Sequence, residues 1–507
     1  MSSDDAVEFT PAALLRPSAF AHPVTRLKLL ETHISWIILT GPFAYKIKKS
    51  VRLEFLDAST LALRRHLCEE ELRLNRRLAA DLYVDVCPIT RKAGVLRIGG
   101  SGEAIEYAVR MKEFDTSQEL SALLDQGQVS PEEITRLAQR LAKFHADAPR
   151  ADSREFTHTQ QLHDTVLGNL AILLAHLDGV APPELGALID WTHERVRDSL
   201  APLRERERSG FVRECHGDLH AGNIVRWGGE LVPFDCLEFD PKLRWIDVMN
   251  DCAFLVMDLR AHGREDLAWV FLNSYLERTG DYEGVRLLRF YAVYRALVRA
   301  MVDSLSARHD RLRMRIKTAV MFTNPPPPAL FIMHGLSGSG KSWLSERLAV
   351  RLGALRIRSD VERRRFADAS TSDRYTPQFS RRTYAHLVEG AESCLQGGMS
   401  VIVDAAFLEA AQRRMFQDLA LRHGVRYVII QCIADSDVLE QRIAQRRQMR
   451  TDPSEAGVEV LKLQSRNVQP LDPVERLNAV VVDTDLPNPL DVAYGAIEQR
   501  LASMRPR

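Results

Sequence analysis

The segment Gly335–Ser342 reads GLSGSGKS and constrains the fold more than any other part of the sequence. An apolar run, ALFIMHG, ends at its first glycine, and a helical pattern follows it. Between a strand and a helix, this motif is typical of a loop whose backbone amides surround phosphate oxygens. In such a loop, we expect Lys341 to face the outer phosphates and Ser342 to coordinate a magnesium ion. The helix N-terminus beside them favours the negative charge of the phosphates. The other predicted nucleotide contacts are Gly335, Ser337, Gly338, Ser339 and Gly340.

Strand-like and helical segments alternate from residue 329 to residue 507, which predicts a parallel sheet covered on both faces. Asp360 ends the second predicted strand and Asp404 ends the third. Because strand carboxyl ends face the ligand crevice in such sheets, either carboxylate could bind metal or take a proton. We assign the proton to Asp360 and the metal to Asp404, although Asp360 also suits a helix N-cap.

A basic stripe follows the fourth predicted strand of this region. Arg442, Arg446 and Arg450 recur every four residues, so they share one face of a helix. Such a stripe is most often a solvated surface. After a nucleotide-binding strand, however, it is also typical of a lid that clamps phosphates, and we assign Arg442 and Arg446 to catalysis.

Four consecutive prolines interrupt the chain in TNPPPPAL, residues 323–330. They cannot join a helix or a central strand and predict a short, stiff polyproline II spacer. We therefore predict a domain at 1–322, a linker at 323–328 and a domain at 329–507. Within the first domain, strand patterns around ISWIILTG, FAYKIKKS and AIEYAVRMKEF predict a small β-rich lobe, and mostly helical patterns predict a larger lobe after it.

A second motif, HGDLHAGN, lies in this helical lobe, at residues 216–223. Asp218 and Asn223 have the spacing that protein kinases use, where the aspartate accepts the hydroxyl proton and the asparagine holds magnesium. Asp235 follows in VPFDCLEF and suits a second magnesium ligand, because hard cations prefer oxygen donors. For His216 we favour a structural role over a chemical one.

Lysines on the strand FAYKIKKS are candidates for holding nucleotide phosphates. Lys46 and Lys48 share one face of the strand, so either could do so, and we assign Lys46. Glu70 or Glu71 on the following helix could pair with that lysine. We prefer Glu71, which lies on the same helical face as Leu74 and Asn75.

Composition excludes several classes of protein. Basic and acidic residues balance at 68 each, so no overall field would attract nucleic acid or an anionic membrane. The N-terminus lacks the pattern of a signal peptide, and no apolar run approaches the roughly 20 residues that span a bilayer. Seven scattered cysteines without a Cys-x-x-Cys pair predict a cytoplasmic protein with neither disulfides nor a zinc site.

HGDLHAGN together with FDCLEFD resembles the aminoglycoside phosphotransferase and choline kinase group over residues 30–320. The resemblance implies a protein-kinase-like α+β fold that phosphorylates small-molecule hydroxyls. Two departures stand out: only Gly41 precedes Lys46, so the glycine-rich nucleotide loop is thin, and Asp235 is followed by Cys-Leu-Glu, so Glu238 and Asp240 could share the metal role.

The second half resembles the small P-loop kinases, such as gluconate kinase, adenylate kinase, chloramphenicol phosphotransferase and zeta toxins. In this resemblance Asp360 with Arg363 or Arg364 matches the element that activates the acceptor. The whole chain is similar to bacterial two-domain proteins that fuse an aminoglycoside phosphotransferase-like domain to a P-loop ATP-binding domain, which implies an α+β kinase-like domain before an α/β P-loop domain.

These observations predict an ATP- and Mg²⁺-dependent phosphotransferase with two nucleotide sites, acting on hydroxyls of small molecules. Two alternatives stay open. In one, the P-loop half is a nucleotide-regulated module that gates the first domain. In the other, it is a zeta-toxin-like kinase of a sugar nucleotide.

Overall fold

A computed structural model describes residues 9–53, 56–152, 158–177, 182–305, 308–366, 376–449 and 457–504. The chain begins with strands and three helices: β1 (Lys28–Glu31), β2 (Ser35–Leu39), β3 (Phe43–Lys48), β4 (Arg52–Leu53), β5 (Leu56–Asp57), α1 (Leu61–Ala79), β6 (Tyr83–Lys92), β7 (Val95–Ile98), β8 (Glu103–Lys112), α2 (Leu120–Asp125) and α3 (Pro131–Asp147). Six strands form an antiparallel sheet in the order β1-β2-β3-β8-β6-β7. The strand patterns ISWIILTG and FAYKIKKS correspond to β2 and β3, which pair across a turn at Gly41.

Two helices of this region begin at capping residues. Thr60 caps α1 by accepting a hydrogen bond from the Leu63 amide at 3.3 Å. Ser130 and Glu133 form a reciprocal capping box at the start of α3. These caps satisfy amides that have no partner within the helix.

The next part of the chain is mostly helical, as predicted, with two short antiparallel strand pairs: α4 (His158–Ala175), α5 (Leu185–Asp198), α6 (Leu200–Arg208), β9 (Val212–Glu214), β10 (Ile224–Trp227), β11 (Glu230–Pro233), α7 (Pro241–Arg244), β12 (Trp245–Asp247), α8 (Val248–Ala261), α9 (Glu265–Thr279), α10 (Val285–Leu305) and α11 (His309–Thr323). β10 pairs with β11, and β9 pairs with β12. The motif HGDLHAGN lies between β9 and β10, and Asp235 lies just after β11.

The remaining elements alternate: β13 (Ala329–His334), α12 (Lys341–Leu352), β14 (Ala354–Arg358), α13 (Ser359–Arg365), α14 (Pro377–Gln396), β15 (Ser400–Asp404), α15 (Ala410–His423), β16 (Arg426–Ile433), α16 (Ser436–Met449), α17 (Val458–Asn467), α18 (Pro473–Leu477), β17 (Ala479–Asp483) and α19 (Pro489–Ser503). The strands form a parallel sheet in the order β14-β15-β13-β16-β17. The predicted fold class, a kinase-like α+β region followed by an α/β region with a parallel sheet, is confirmed.

One local prediction in this sheet is wrong. Asp360 was expected at the end of a strand or at an N-cap, but β14 ends at Arg358 and α13 begins at Ser359. Asp360 thus lies in the first turn of α13. A carboxylate is favoured there because the helix dipole places partial positive charge at the N-terminus.

The chain divides into two compact units. One comprises residues 1–162 and 205–258, and the other comprises residues 163–204 and 259–507. In the first unit, one face of the six-stranded sheet packs into a core that includes Ile38, Ile47 and Ala108. In the second unit, apolar residues of β13, β15, β16 and β17 pack against α12 and α19. The second unit also contains α9, α10 and α11, and the division at the proline segment stays a prediction.

Across the described parts of the chain, every helix is too short or too polar to cross a lipid bilayer.

Candidate active sites

A buried carboxylate holds the loop that carries Asp218 and Asn223. Asp251, on α8, is fully buried and accepts hydrogen bonds from the backbone amides of His216 and Gly217, both at 3.0 Å. His145 Nε2 contacts the same carboxylate at 3.1 Å. Burial opposes ionisation of Asp251, but the contacts with His145 and His216 outweigh it and lower the pKa of Asp251.

Gly217 makes the close approach of this loop possible. Its φ is +86°, and a Cβ at this position would lie 2.9 Å from the carbonyl oxygen of Leu243. Another residue would be strained both by the backbone conformation and by this contact.

His216 joins the loop to the segment that carries Asp235. The Asp218 amide donates to Nδ1 of His216 at 3.3 Å, so Nδ1 is an acceptor and Nε2 carries the proton. Nε2 donates to the carbonyl oxygen of Phe234 at 2.9 Å, next to Asp235. Burial lowers the pKa of His216, which favours this neutral form. The contacts agree with the structural role that we favoured for this histidine.

Asp218 and Asn223 lie together, as their spacing predicted. The side-chain amide nitrogen of Asn223 donates to Oδ2 of Asp218 at 2.9 Å and to its carbonyl oxygen at 3.0 Å. His220 Nε2 is 3.4 Å from the same carboxylate oxygen, and the Asp218 side chain is 39% exposed. The carboxylate is thus fixed in orientation and open to a ligand.

Asp235 follows β11 closely and contacts the predicted phosphate lysine. Its Oδ1 is 2.5 Å from Lys46 Nζ, and its side chain is 39% exposed. The residue adopts φ +61°, a left-handed conformation that aspartate tolerates. Its amide donates to the Tyr83 hydroxyl at 3.2 Å, and the next amide, of Cys236, donates to Asn75 at 2.8 Å. Side chains of β6 and α1 therefore set the position of the carboxylate.

Of the two glutamates considered as partners of the phosphate lysine, Glu71 contacts Lys46, and it also contacts Lys48. It is fully buried, with Oε1 2.9 Å from Lys46 Nζ and Oε2 2.5 Å from Lys48 Nζ. Burial opposes its ionisation, but the two ammonium groups outweigh burial and lower the pKa of Glu71 to about 2. Burial likewise opposes the charge of Lys46, but Asp235 and Glu71 hold the pKa of Lys46 well above its usual range. Glu70 instead pairs with Arg73 at 2.9 Å.

The two further metal candidates of this segment have other partners. Glu238 is buried and forms an ion pair with Lys48, and Asp240 caps α7 by accepting from the Lys242 amide at 2.9 Å. On β3, Lys46 therefore pairs with Asp235 and Lys48 pairs with Glu238.

Glycines shape the phosphate-binding loop of the second unit. A Cβ on Gly335, at φ +144°, would lie 2.4 Å from the Cys432 carbonyl oxygen, and one on Gly338, at φ +86°, would lie 2.7 Å from that of Leu439. Gly340, at φ +78°, precedes the first residue of α12. Ser339 is buried, and its carbonyl oxygen accepts from the Thr484 hydroxyl at 3.2 Å. The loop therefore ends at the N-terminus of α12, the position at which the motif predicts that phosphate binds.

Lysine and serine groups of the motif lie at the start of α12. Lys341 Nζ donates to the Leu336 carbonyl oxygen at 2.7 Å, so its ammonium folds back over the loop. The Ser337 amide donates to Gln464 Oε1 at 2.8 Å, which ties the loop to α17. The Ser345 hydroxyl is 3.2 Å from the Ser342 carbonyl oxygen and 3.0 Å from Asp404 Oδ2. Ser345 thus bridges the first turn of α12 and the end of β15.

Acidic and basic groups surround the ends of β14 and β15. Asp404 is buried, and Arg358 Nε is 3.8 Å from its Oδ2. Asp360 contacts Arg363 within α13 at 3.7 Å. Of the two arginines considered beside Asp360, Arg363 is therefore the one in contact with it.

The predicted lid is described only in part. Arg442, on α16, donates to the Thr484 hydroxyl at 2.8 Å and contacts Asp485 at 3.0 Å. The same guanidinium reaches the Gly338 carbonyl oxygen at 3.5 Å. Arg442 therefore contacts the phosphate-binding loop and helps to hold it in place. Arg446 lies in α16, but its side chain and the whole of Arg450 lie outside the described residues.

Both sites have the oxygen donors that magnesium requires. The first combines the partly exposed carboxylates of Asp218 and Asp235 with Asn223, and in the second the Ser345 hydroxyl links Asp404 to the Ser342 carbonyl oxygen. Since Mg²⁺ prefers carboxylate, hydroxyl and carbonyl oxygens, the residues present fit this ion.

Two positioning residues were missed by the sequence reasoning although a signal exists. Asp251 and Asp258 are buried carboxylates on the mostly apolar helix α8, and Asp258 accepts from the Ala221 amide at 2.9 Å. They are seven residues apart, which places both on one helical face. Buried acids in an apolar helix are rare unless they are paired, so this pattern could have indicated them.

Comparisons with known proteins match two regions of the chain. The phosphotransferase enzyme family matches residues 59–288, and an AAA domain matches residues 330–471. The uncharacterized protein Rv2004c of Mycobacterium tuberculosis (strain ATCC 25618 / H37Rv) is 31% identical over 455 residues, which cover 84% of this chain and 88% of the relative.

Two solved structures resemble parts of the chain. A gluconokinase from Sinorhizobium meliloti 1021 is 19% identical, with 35% of this chain and 96% of that chain covered and a TM-score of 0.27. A choline/ethanolamine kinase family protein from Mesorhizobium loti is 12% identical, with 60% and 90% covered and a TM-score of 0.37.

The length of the match to the mycobacterial relative and the two family matches lead to one conclusion. The chain belongs to the same family as that relative, it contains a phosphotransferase-family region before a P-loop kinase region, and it is a kinase or phosphotransferase of small molecules.

Proposed function

We propose that the protein is an ATP- and Mg²⁺-dependent phosphotransferase with two nucleotide sites, each transferring the γ-phosphoryl group to a hydroxyl of a small molecule. The contact of Lys46 with Asp235, next to the hydrogen-bonded pair of Asp218 and Asn223, supports the proposal most directly. Together these residues supply a cation for phosphate (Lys46), oxygen donors for a metal (Asn223 and Asp235) and a proton acceptor (Asp218).

In the first site, Asp218 orients the acceptor hydroxyl and takes its proton as the oxygen–phosphorus bond forms. The bond between the γ-phosphorus and the bridging oxygen breaks, and ADP leaves. Lys46 holds the phosphates, with Glu71 fixing its ammonium, while Asn223 and Asp235 hold the metal. Magnesium, when bound, neutralises charge on the phosphate oxygens.

In the second site, the amides of the phosphate-binding loop and Lys341 hold the phosphates of ATP. Ser342 and Asp404 hold the metal, and Asp360 takes the proton of the acceptor. Arg446 supplies lid charge in this proposal. Arg442 contacts Gly338 and Thr484, and its support of the loop adds to the clamping role predicted from sequence.

The test is a phosphate-transfer screen with labelled ATP over sugars, aminoglycosides and other hydroxylated metabolites. Lys46→Ala and Lys341→Ala are compared with the unaltered chain, and calorimetry counts the ATP sites. We expect each variant to lose one ATP site and only the transfer that depends on it. If either variant still binds two equivalents of ATP, its lysine does not hold nucleotide; if the unaltered chain binds only one equivalent, the two-site proposal is wrong. ATP binding without transfer to any acceptor would favour the regulatory alternative.

A further inference from the structure

A glutamate of α9 lies against the edge of the parallel sheet, within the second compact unit. Glu277 Oε2 is 3.0 Å from Arg356, and Glu277 Oε1 is 3.1 Å from Arg358. The two arginines are two residues apart on β14, so they lie on the same face of the strand. One carboxylate therefore pairs with two neighbouring guanidinium groups.

Both arginines reach the phosphate-binding region. Arg356 NH1 donates to the carbonyl oxygen of Ser342, in the first turn of α12, at 3.2 Å. Arg358 Nε lies 3.8 Å from Asp404 Oδ2. Ser342 and Asp404 are the two residues to which the proposed function gives the metal.

The placement of α9 on β14 is fixed by more than this ion pair. The Asn273 side chain accepts from the Arg356 amide at 2.7 Å and donates to the Ala354 carbonyl oxygen at 3.1 Å. Edge strands leave such backbone groups unpaired, and this side chain satisfies two of them. Arg365 also donates to the Glu277 carbonyl oxygen at 2.9 Å. The carboxylate of Glu277 is thus held in register with the strand.

We propose that Glu277 is a positioning residue of the P-loop site, which holds Arg358 off Asp404 and so keeps the Asp404 carboxylate available to Mg²⁺. The inference rests on the proposed function of that site. Among the described residues, Arg358 has two carboxylates within reach, and its pairing with Glu277 at 3.1 Å is closer than its approach to Asp404 at 3.8 Å. Without the Glu277 charge, Arg358 would pair with Asp404 and compete with the metal.

The inference also connects the two family regions of the chain. Glu277 and Asn273 lie within residues 59–288, which match the phosphotransferase enzyme family, whereas Arg358 and Asp404 lie within the AAA match. A helix from one region would therefore set the metal affinity of the other.

The test measures how much Mg²⁺ is needed for ATP binding, in full-length protein carrying Lys46→Ala so that only the P-loop site binds. The probe is a fluorescent ATP analogue, titrated with and without Mg²⁺. We expect Glu277→Gln to raise the Mg²⁺ midpoint by about tenfold, a size common for residues of one salt-bridge network. Binding of the analogue without metal should change less than about twofold.

Two further variants separate this role from a general structural one. Adding Arg358→Gln to Glu277→Gln should restore the midpoint, because the competing cation is gone. Glu265→Gln is the matched control: it removes a glutamate of the same helix that pairs with Arg260 at 3.0 Å, and it should leave the midpoint unchanged.

Three results would overturn the inference: an unchanged midpoint in Glu277→Gln, equal loss of binding with and without metal, or a double variant as impaired as the single one. A different result addresses the proposed function itself. If the Lys46→Ala protein binds no analogue, or if adding Lys341→Ala leaves its binding intact, the P-loop site fails together with this inference.

Discussion

Glu71→Gln tests the electrostatic centre of the first site. At neutral pH the Glu71 carboxylate contacts both Lys46 and Lys48, and its pKa is lowered from 4.5 to about 2. Since each pKa unit is worth about 1.4 kcal/mol, the carboxylate contributes about 3 kcal/mol to the folded state. The loss should not greatly exceed this value, because Lys46 keeps Asp235 and Lys48 keeps Glu238.

The pH dependence of this contribution has a definite sign. The folded-state pKa of Glu71 lies below the unfolded-state value, so the stabilisation is complete above about pH 4.5. It is lost as the pH falls from about 4.5 toward about 2. The difference between Glu71→Gln and the unaltered chain should therefore be largest at pH 7 and should shrink in acid.

Hydrogen exchange read by mass spectrometry is the suitable assay, since it gives local opening free energies in a chain with more than one cooperative unit. Peptides from β3 and α1 should lose about 3 kcal/mol of protection, while peptides from β13 and α12 provide the internal reference. Glu70→Gln is the matched control: Glu70 pairs with the half-exposed Arg73, and its loss should cost less than about 1 kcal/mol. Unchanged protection in Glu71→Gln, or an equal loss in Glu70→Gln, would refute the reasoning.

Two further predictions concern turnover. Asp218→Asn should lower transfer at the first site by about 10²–10⁴-fold with nearly unchanged ATP affinity, because it removes the proton acceptor and little else. Steady-state kinetics and calorimetry check this, and wild-type turnover would contradict it. Arg446→Ala should lower turnover at the P-loop site more than it weakens ATP binding, whereas Arg442→Ala should weaken both, because Arg442 contacts Gly338 and Thr484. Equal kinetics in both variants and the unaltered chain would mean that the stripe is only surface.

Local signals account for what the sequence predicted well. β13 occupies residues 329–334, as predicted, and α12 begins at Lys341, because an apolar run, three constrained glycines and a helix start follow one another directly. The starts of α1 and α3 were likewise set by residues within one turn of each helix. In these cases the interaction that determines the structure lies within a few residues of the structure itself.

Long-range contacts explain what the sequence could not decide. Lys46 meets Asp235 across 189 positions, and Asn273 meets Arg356 across 83, so no periodicity connects the partners. The choice between Glu70 and Glu71 depends on which side of α1 faces β3, and the two are adjacent in sequence. Asp360 was misplaced by two residues because a strand end and a helix start share the same few positions.

Both proposed sites must bind negatively charged phosphate, but they use different groups to do so. This difference determines how much of each site can be predicted from the sequence. The proposed P-loop site would surround phosphate mainly with backbone amides from eight consecutive residues, so its signature is contiguous. The first site assembles its charges from side chains on β3, α1 and the loops around β10 and β11, and it depends on the buried acids of α8 to hold its loop. Each of those side chains alone is an ordinary lysine or acid, and only their convergence is specific. Even the contiguous motif is incomplete by itself. The proposed metal-binding end of the P-loop site adjoins Arg356 and Arg358, and both pair with Glu277. Glu277 lies outside the motif and outside the AAA match.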